Sequence, residues 1–191
     1  MNAPATDPGL PGTRGLLHAF LAVLISFAPV ARGDEQRVLE LENGDRVGYA
    51  LRMHPPDAHR FDAGAPLAPT TAVNTAKLLT RYLAEGRLED AALLSNSPKA
   101  RFARLRESFD GWSEGDFKRA YGRYFAPENR IVGEIAIDAH RLLMWYLSDT
   151  DYLTGFFLVE IDGKLLLDDV PNRARSNLQR VLEAYRSGRA N

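Results

Sequence analysis

The chain has 191 residues, 24 basic against 25 acidic, with 45% hydrophobic residues and no cysteine. That length is enough for one domain with its own core, since roughly two thirds of the unfolded surface is buried at this size. The composition excludes a disulfide scaffold, a thiol nucleophile and a lipid-modified cysteine, and the balanced charge is no nucleic-acid profile.

Residues 1–33 have the character of a cleavable export leader. Arg14 precedes an apolar run from Leu16 to Phe27, broken only by His18 and Ser26, and Ala31 and Gly33 stand just before the charged Asp34-Glu35. Small residues at those two positions suit a signal peptidase, and a run of about a dozen residues falls short of the roughly twenty that span a bilayer. The expectation is a periplasmic or secreted protein with no integral membrane segment after the leader is removed. Without Arg14, Arg32 and Asp7, the remainder holds 22 basic and 24 acidic residues.

Residues 37–53 read as a β-hairpin around Glu42-Asn43-Gly44-Asp45. A two-residue Asn-Gly loop would place Leu39 opposite Gly48. A three-residue loop with Gly44 left-handed pairs 39 with 47 and gathers Leu39, Leu41, Val47, Tyr49 and Leu51 on one face. The apolar pattern selects the second register, because a slip of one residue flips every side chain. Residues 54–69 contain four prolines and two histidines and form a linker, so 34–69 is read as hairpin plus linker and 70–191 as the rest of one α+β domain.

A helix begins at Thr70-Thr71, with Val73, Ala76, Leu79 and Leu83 as its buried stripe and Gly86 as its stop. Short helices follow over Leu88–Leu94 and from Ser97-Pro98 to about Phe109, where Phe102, Leu105 and Phe109 face inward. Asp110-Gly111 breaks the chain, and Ser113 with Asp116 forms a capping box for a helix over Glu114–Phe125. The period then changes to two. Ile131 to Asp138 alternates, Arg141–Leu147 is apolar on both faces as in a central strand covered by helices, and Tyr152–Ile161 with Lys164–Val170 forms a hairpin around Asp162-Gly163. Pro171 ends the sheet, and Asn172 caps a last helix with Leu178, Val181, Leu182 and Tyr185 inward. The order predicts α+β architecture: helices packed on one face of a curved antiparallel sheet, with an added N-terminal hairpin and a C-terminal helix.

The stretch Leu83-Ala84-Glu85-Gly86-Arg87-Leu88-Glu89-Asp90-Ala91-Ala92-Leu93-Leu94, followed by the long-stranded meander, resembles the nuclear-transport-factor-two-like (SnoaL-like) cone fold over about residues 72–170. The resemblance implies a possible pocket between helices and sheet. That superfamily includes isomerases, cyclases and dehydratases as well as non-catalytic binding domains, so it implies no particular reaction. The hairpin, the extra helix and the terminal helix depart from the family and bear on whether the cone stays open.

The most enzyme-like grouping is Asp138-Ala139-His140-Arg141 with Glu134, Trp145 and Tyr146. Glu134, Asp138 and His140 share parity if they lie on one strand, and a carboxylate would set the histidine tautomer. The competing reading makes this segment the polar turn between two strands, and it is the stronger one. His54 and His59 flank Asp57, but Pro55-Pro56 prevents helical spacing and no further ligand is placed, so no metal site and no cofactor are expected. Phosphate-binding glycine loops and nucleophile elbows are missing. Tyr121 and Tyr124, with Trp145, are candidate ligand-lining aromatics, although such a stripe is more often core. Residues 128–171 hold three basic and nine acidic side chains, while 172–191 hold five arginines against Glu183 alone. A basic terminal helix lying beside an acidic sheet is the expected explanation.

The leading functional expectation is a non-catalytic exported domain that binds a protein partner or a small apolar ligand, with a homodimer through the sheet as one form. The alternative is an enzyme of isomerase or dehydratase type doing proton transfer, with His140 and Asp138 or Glu134 as acid and base and Tyr146 as donor. The third is an envelope protein whose Arg101 and Arg104 contact anionic lipid or cell-wall polymer.

Overall fold

A computed structural model describes residues 33–40, 44–60 and 67–190. The expected leader, apart from Gly33, lies outside the described residues, as do 41–43 of the hairpin loop and 61–66 of the linker. Residues Arg32–Asn191 form one compact unit.

Six strands form one antiparallel sheet in chain order: β1 (Glu35–Glu40), β2 (Arg46–Arg52), β3 (Arg130–Ile137), β4 (His140–Leu147), β5 (Tyr152–Ile161) and β6 (Lys164–Leu167). The β1–β2 register pairs Leu39 with Val47, and Gly44 has φ +82°, which is the bulged three-residue loop. Val47, Tyr49 and Leu51 are accordingly buried together.

The helices are α1 (Ala72–Ala84), α2 (Leu88–Leu93), α3 (Pro98–Ser108), α4 (Glu114–Gly122), a 3₁₀ turn over Arg123–Phe125, and α5 (Arg173–Arg186). Their ends follow the expected chemistry. Thr71 accepts from the Asn74 amide, Ser113 and Asp116 form a reciprocal capping box, and Asn172 accepts from the Arg175 amide. Gly86 turns left-handed at φ +68° after α1. Strand β6 stops at Leu167, three residues short of the expected Val170. The Asp168 amide makes the last bond to β5, at Phe157 O, and the next amide, of Asp169, is taken by Asn96, while Leu167 also bonds Leu94 and Asn96 in the helical layer.

The helical layer of α1 to α4 covers one face of the sheet, where Leu143, Trp145, Leu147 and Leu158 meet Ala72 and Ala76 of α1. Helix α5 covers the opposite face, packing Leu178, Val181 and Leu182 on Ile135, Leu142 and Met144. The doubly apolar β4 requires cover on both sides, and α5 supplies the second. Gly155 of β5 allows this approach, since a Cβ there would lie 2.6 Å from Leu182 Cδ2 and 2.8 Å from Leu142 Cδ1. Among the described residues no helix is long and apolar enough to cross a membrane.

Candidate functional site

The helical layer covers the sheet unevenly. Helix α1 packs mainly on β4 and β6 and on Ile131 at the start of β3, and its N-terminal turn borders the part of the same face where β2 pairs with β3. Side chains pointing to that face from β2 and β3 are Ala50, paired with Ala136, and Arg52, paired with Glu134. The small alanines make a low floor. With Arg141, Glu160, Leu165, the segment carrying His54 and Ala58, and the N-terminal turn of α1, they enclose a cavity of about 500 Å³.

The buried carboxylate of this cavity is Glu134, 7% exposed. Its Oε2 lies 3.0 Å from His54 Nε2, and its Oε1 lies 3.7 Å from Arg141 Nε. A carboxylate only accepts, so Nε2 carries the hydrogen and donates, which leaves Nδ1 as the acceptor nitrogen of the neutral ring. His54 reaches the site because Pro55 disfavours helical backbone at the residue before it. The extended parity of Ala50 and Arg52 therefore continues to residue 54. Arg141 is oriented by the carbonyls of Asp138 and His140 and extends toward Glu160 at 3.7 Å. At the rim, Arg52 donates to both oxygens of Asp34 at 2.8 and 3.1 Å, which holds that carboxyl below its ordinary range. Lys77, buried in α1, donates from Nζ to Ala58 O at 3.0 Å. The lining is thus polar and of mixed charge, with Arg52, Arg141 and Lys77 facing Asp34, Glu134 and Glu160.

Of the residues singled out from sequence, Glu134, Arg141 and His54 line this cavity, whereas Asp138, His140, Tyr146, Tyr121, Tyr124 and Trp145 do not. His140 and Glu134 point to opposite faces. Asp138-Ala139 is a two-residue turn with Asp138 at φ +52°, so Ile137 pairs with His140 and the parity inverts across the turn. Asp138 is exposed at the turn. His140 instead donates from Nδ1 to Asp168 at 2.9 Å, and Asn96 and Asn172 also donate to that 3% exposed carboxylate. This network ties β4, the helical layer and α5 together where the chain crosses the sheet edge. Tyr146 lies six positions along β4, about 20 Å away, and donates to Asp151 at 2.6 Å, which raises its own pKa.

Trp145 is fully buried, with Tyr124 edge-on at 5.4 Å, so these two belong to the core. Tyr121 stacks on Tyr124 at 6.3 Å and lines a separate recess of about 290 Å³ with Arg101, Phe156 and Asp169. Burial raises the pKa of both tyrosines. Arg101 and Arg104 are taken by Asp169, at 3.0 and 3.1 Å, so neither is part of a free basic surface. His59 is a core residue between the carbonyls of Pro56 and Ala126. Among the described residues no group of three or more metal-ligating side chains could hold an ion.

The partner of Glu134 is therefore His54, which sequence reasoning had grouped with His59. The signal that could have found it was its parity with Ala50 and Arg52, opposite the apolar face of β2. The β2–β3 pairing that brings it to Glu134 has no local signature. Comparison with protein-family models, curated proteins and solved structures finds no match to this chain.

Proposed function

We propose that the chain is an exported domain that binds a small polar molecule in the cavity between the paired part of β2 and β3 and the start of α1. One observation carries the reading: a cavity of about 500 Å³ whose wall presents the buried Glu134–His54 pair beside Arg141. That volume suits a small ligand, and a few convergent polar groups fix orientation in such sites. The lining turns the expected apolar ligand into a polar one, since hydrocarbon placed against these groups would strip them of water without replacing their hydrogen bonds.

A second reading, proton-transfer catalysis, is favoured by a specific feature. Glu134 fixes the tautomer of His54 from one side, and Nδ1 has no partner among the described residues. A histidine held this way is equipped to accept a proton from a bound molecule. In this arrangement His54 replaces His140 as the base.

The test is native mass spectrometry of the full chain purified without denaturation, paired with the variant Ala136→Phe, which fills the cavity from its floor. The expected result is a small polar adduct on the parent chain that is missing from the variant. An adduct retained by a folded Ala136→Phe chain would refute the placement. Turnover of the released compound by the parent, abolished in His54→Phe, would select the catalytic reading over simple binding.

A further inference from the structure

The arginine excess of residues 172–191 was expected to complement an acidic sheet. The structure places acids beside α5 at its start, where Arg175 lies with Asp169 and donates to Asp168 O. Glu134 and Glu160 line the cavity on the α1 face, whereas α5 packs on the opposite face against Ile135, Leu142 and Met144. Three arginines of the C-terminal segment are nevertheless engaged. Arg175 donates to Asp168 O, Arg186 bonds Glu183 and Leu153 O, and Arg189 donates to Ser187. Arg173 and Arg180, two turns apart on α5, have no such partner among the described residues, and neither does Arg46 on β2.

These three exposed arginines line one groove, about 340 Å³, with Ser176, Asn177 and a single acid, Asp45. A neighbouring groove of about 400 Å³ shares Ser176 and is lined also by Pro171, Arg175, Gln179 and the paired Arg104 and Asp169. The charge of that pair is balanced, so the guanidinium groups without a partner among the described residues lie in the first groove. Both wrap the N-terminal half of the 14-residue α5, whose macrodipole adds positive potential at that end. Val170, 49% exposed, projects one residue before Pro171 at the same end.

We infer that this end of the molecule docks on the phosphate groups of an anionic lipid surface, independently of the cavity. Guanidinium groups bind phosphate through paired, planar hydrogen bonds. The grooves are open to solvent and polar, so headgroup phosphates can reach the exposed arginines. Val170 supplies an apolar side chain that can enter among the headgroups, a contact that a soluble polyanion lacks.

The test is vesicle co-sedimentation of the full chain, comparing phosphatidylcholine vesicles with equimolar phosphatidylcholine–phosphatidylglycerol vesicles, so that any contribution of the apolar N-terminal run appears in both. The expected result is salt-sensitive binding to the anionic vesicles. Each surface arginine contributes roughly fivefold, so Arg46→Gln/Arg173→Gln/Arg180→Gln binds on the order of a hundredfold more weakly. Arg119→Gln, on α4, serves as the control and binds as the parent does. Circular dichroism confirms the fold, and the milder pair Arg173→Gln/Arg180→Gln is expected to show an intermediate loss. Equal binding to both vesicle types, or undiminished binding by the folded triple variant, overturns the inference. So does capture of soluble polyphosphate by the parent with the vesicles left unbound.

Discussion

Replacing His54 with phenylalanine keeps a ring at the cavity wall and removes the only hydrogen-bond donor that the described residues place within 3.5 Å of Glu134. The carboxylate is then left 7% exposed, with Arg141 at 3.7 Å as its remaining charged neighbour. Arg141 cannot fully compensate, because two carbonyls hold its Nη1 and it is shared with Glu160. A hydrogen bond to a charged group contributes about 1.5–3 kcal/mol, and stranding the buried partner falls at the upper end, so His54→Phe should cost about 2–3 kcal/mol. Glu134→Gln retains an oxygen that accepts from His54 and should cost about 1 kcal/mol. In the double variant the amide is neutral and loses less without its donor. The double variant should therefore be more stable than the sum of the single effects implies, by about 1–2 kcal/mol. Urea unfolding measures this through the fluorescence of Trp145, which lies fully buried beside Tyr124 and Phe125. An additive cycle would show that the two side chains do not share a buried bond, and the proposed site would lose its central pair.

Gly155→Ala places a methyl 2.6 Å from Leu182 Cδ2 and 2.8 Å from Leu142 Cδ1, both buried. Overpacking of this kind costs about 1–3 kcal/mol, and Leu182→Val in the same chain should recover part of it; thermal unfolding that leaves Gly155→Ala as stable as the parent would contradict the close packing of α5 on β5. The Tyr185 hydroxyl is pushed up to about 12, first by burial and then by its hydrogen bond with Tyr49. Because the fold favours the protonated phenol, this contribution is complete below pH 10 and is lost as pH rises from the ordinary value of 10 to about 12. Ultraviolet titration should show tyrosinate still forming near pH 12, and Tyr185→Phe should lower that late amplitude by one tyrosine, leaving the also raised Tyr121, Tyr124 and Tyr146.

Local features of the chain were legible because local chemistry decides them. Thr71, Ser113 and Asn172 cap helices from whichever amides lie three residues on, and Gly44 adopts its left-handed turn because only that register keeps Leu39 and Val47 on one side. Strand β6 was read too long because nothing in Asp168-Asp169-Val170 announces that the pairing with β5 ends; the capture of the Asp169 amide by Asn96 in the helical layer decides it. The site was half legible. Glu134 was singled out and lines the cavity, but its partner was sought at His140, where a two-residue turn inverts the parity assumed along a single strand.

The sequence by itself determined the elements, their caps, the hairpin register and the α+β class, since periodicity, turn residues and burial pattern act over a few residues. Only the tertiary structure decided which face each element covers. That choice depends on long-range pairing of β2 with β3 and on α1 packing over β4 and β6, contacts that leave no mark within either segment. The same long-range choice opens a cavity between the β2–β3 pairing and the start of α1, joins His54 to Glu134 there, and carries α5 with its arginines to the other side.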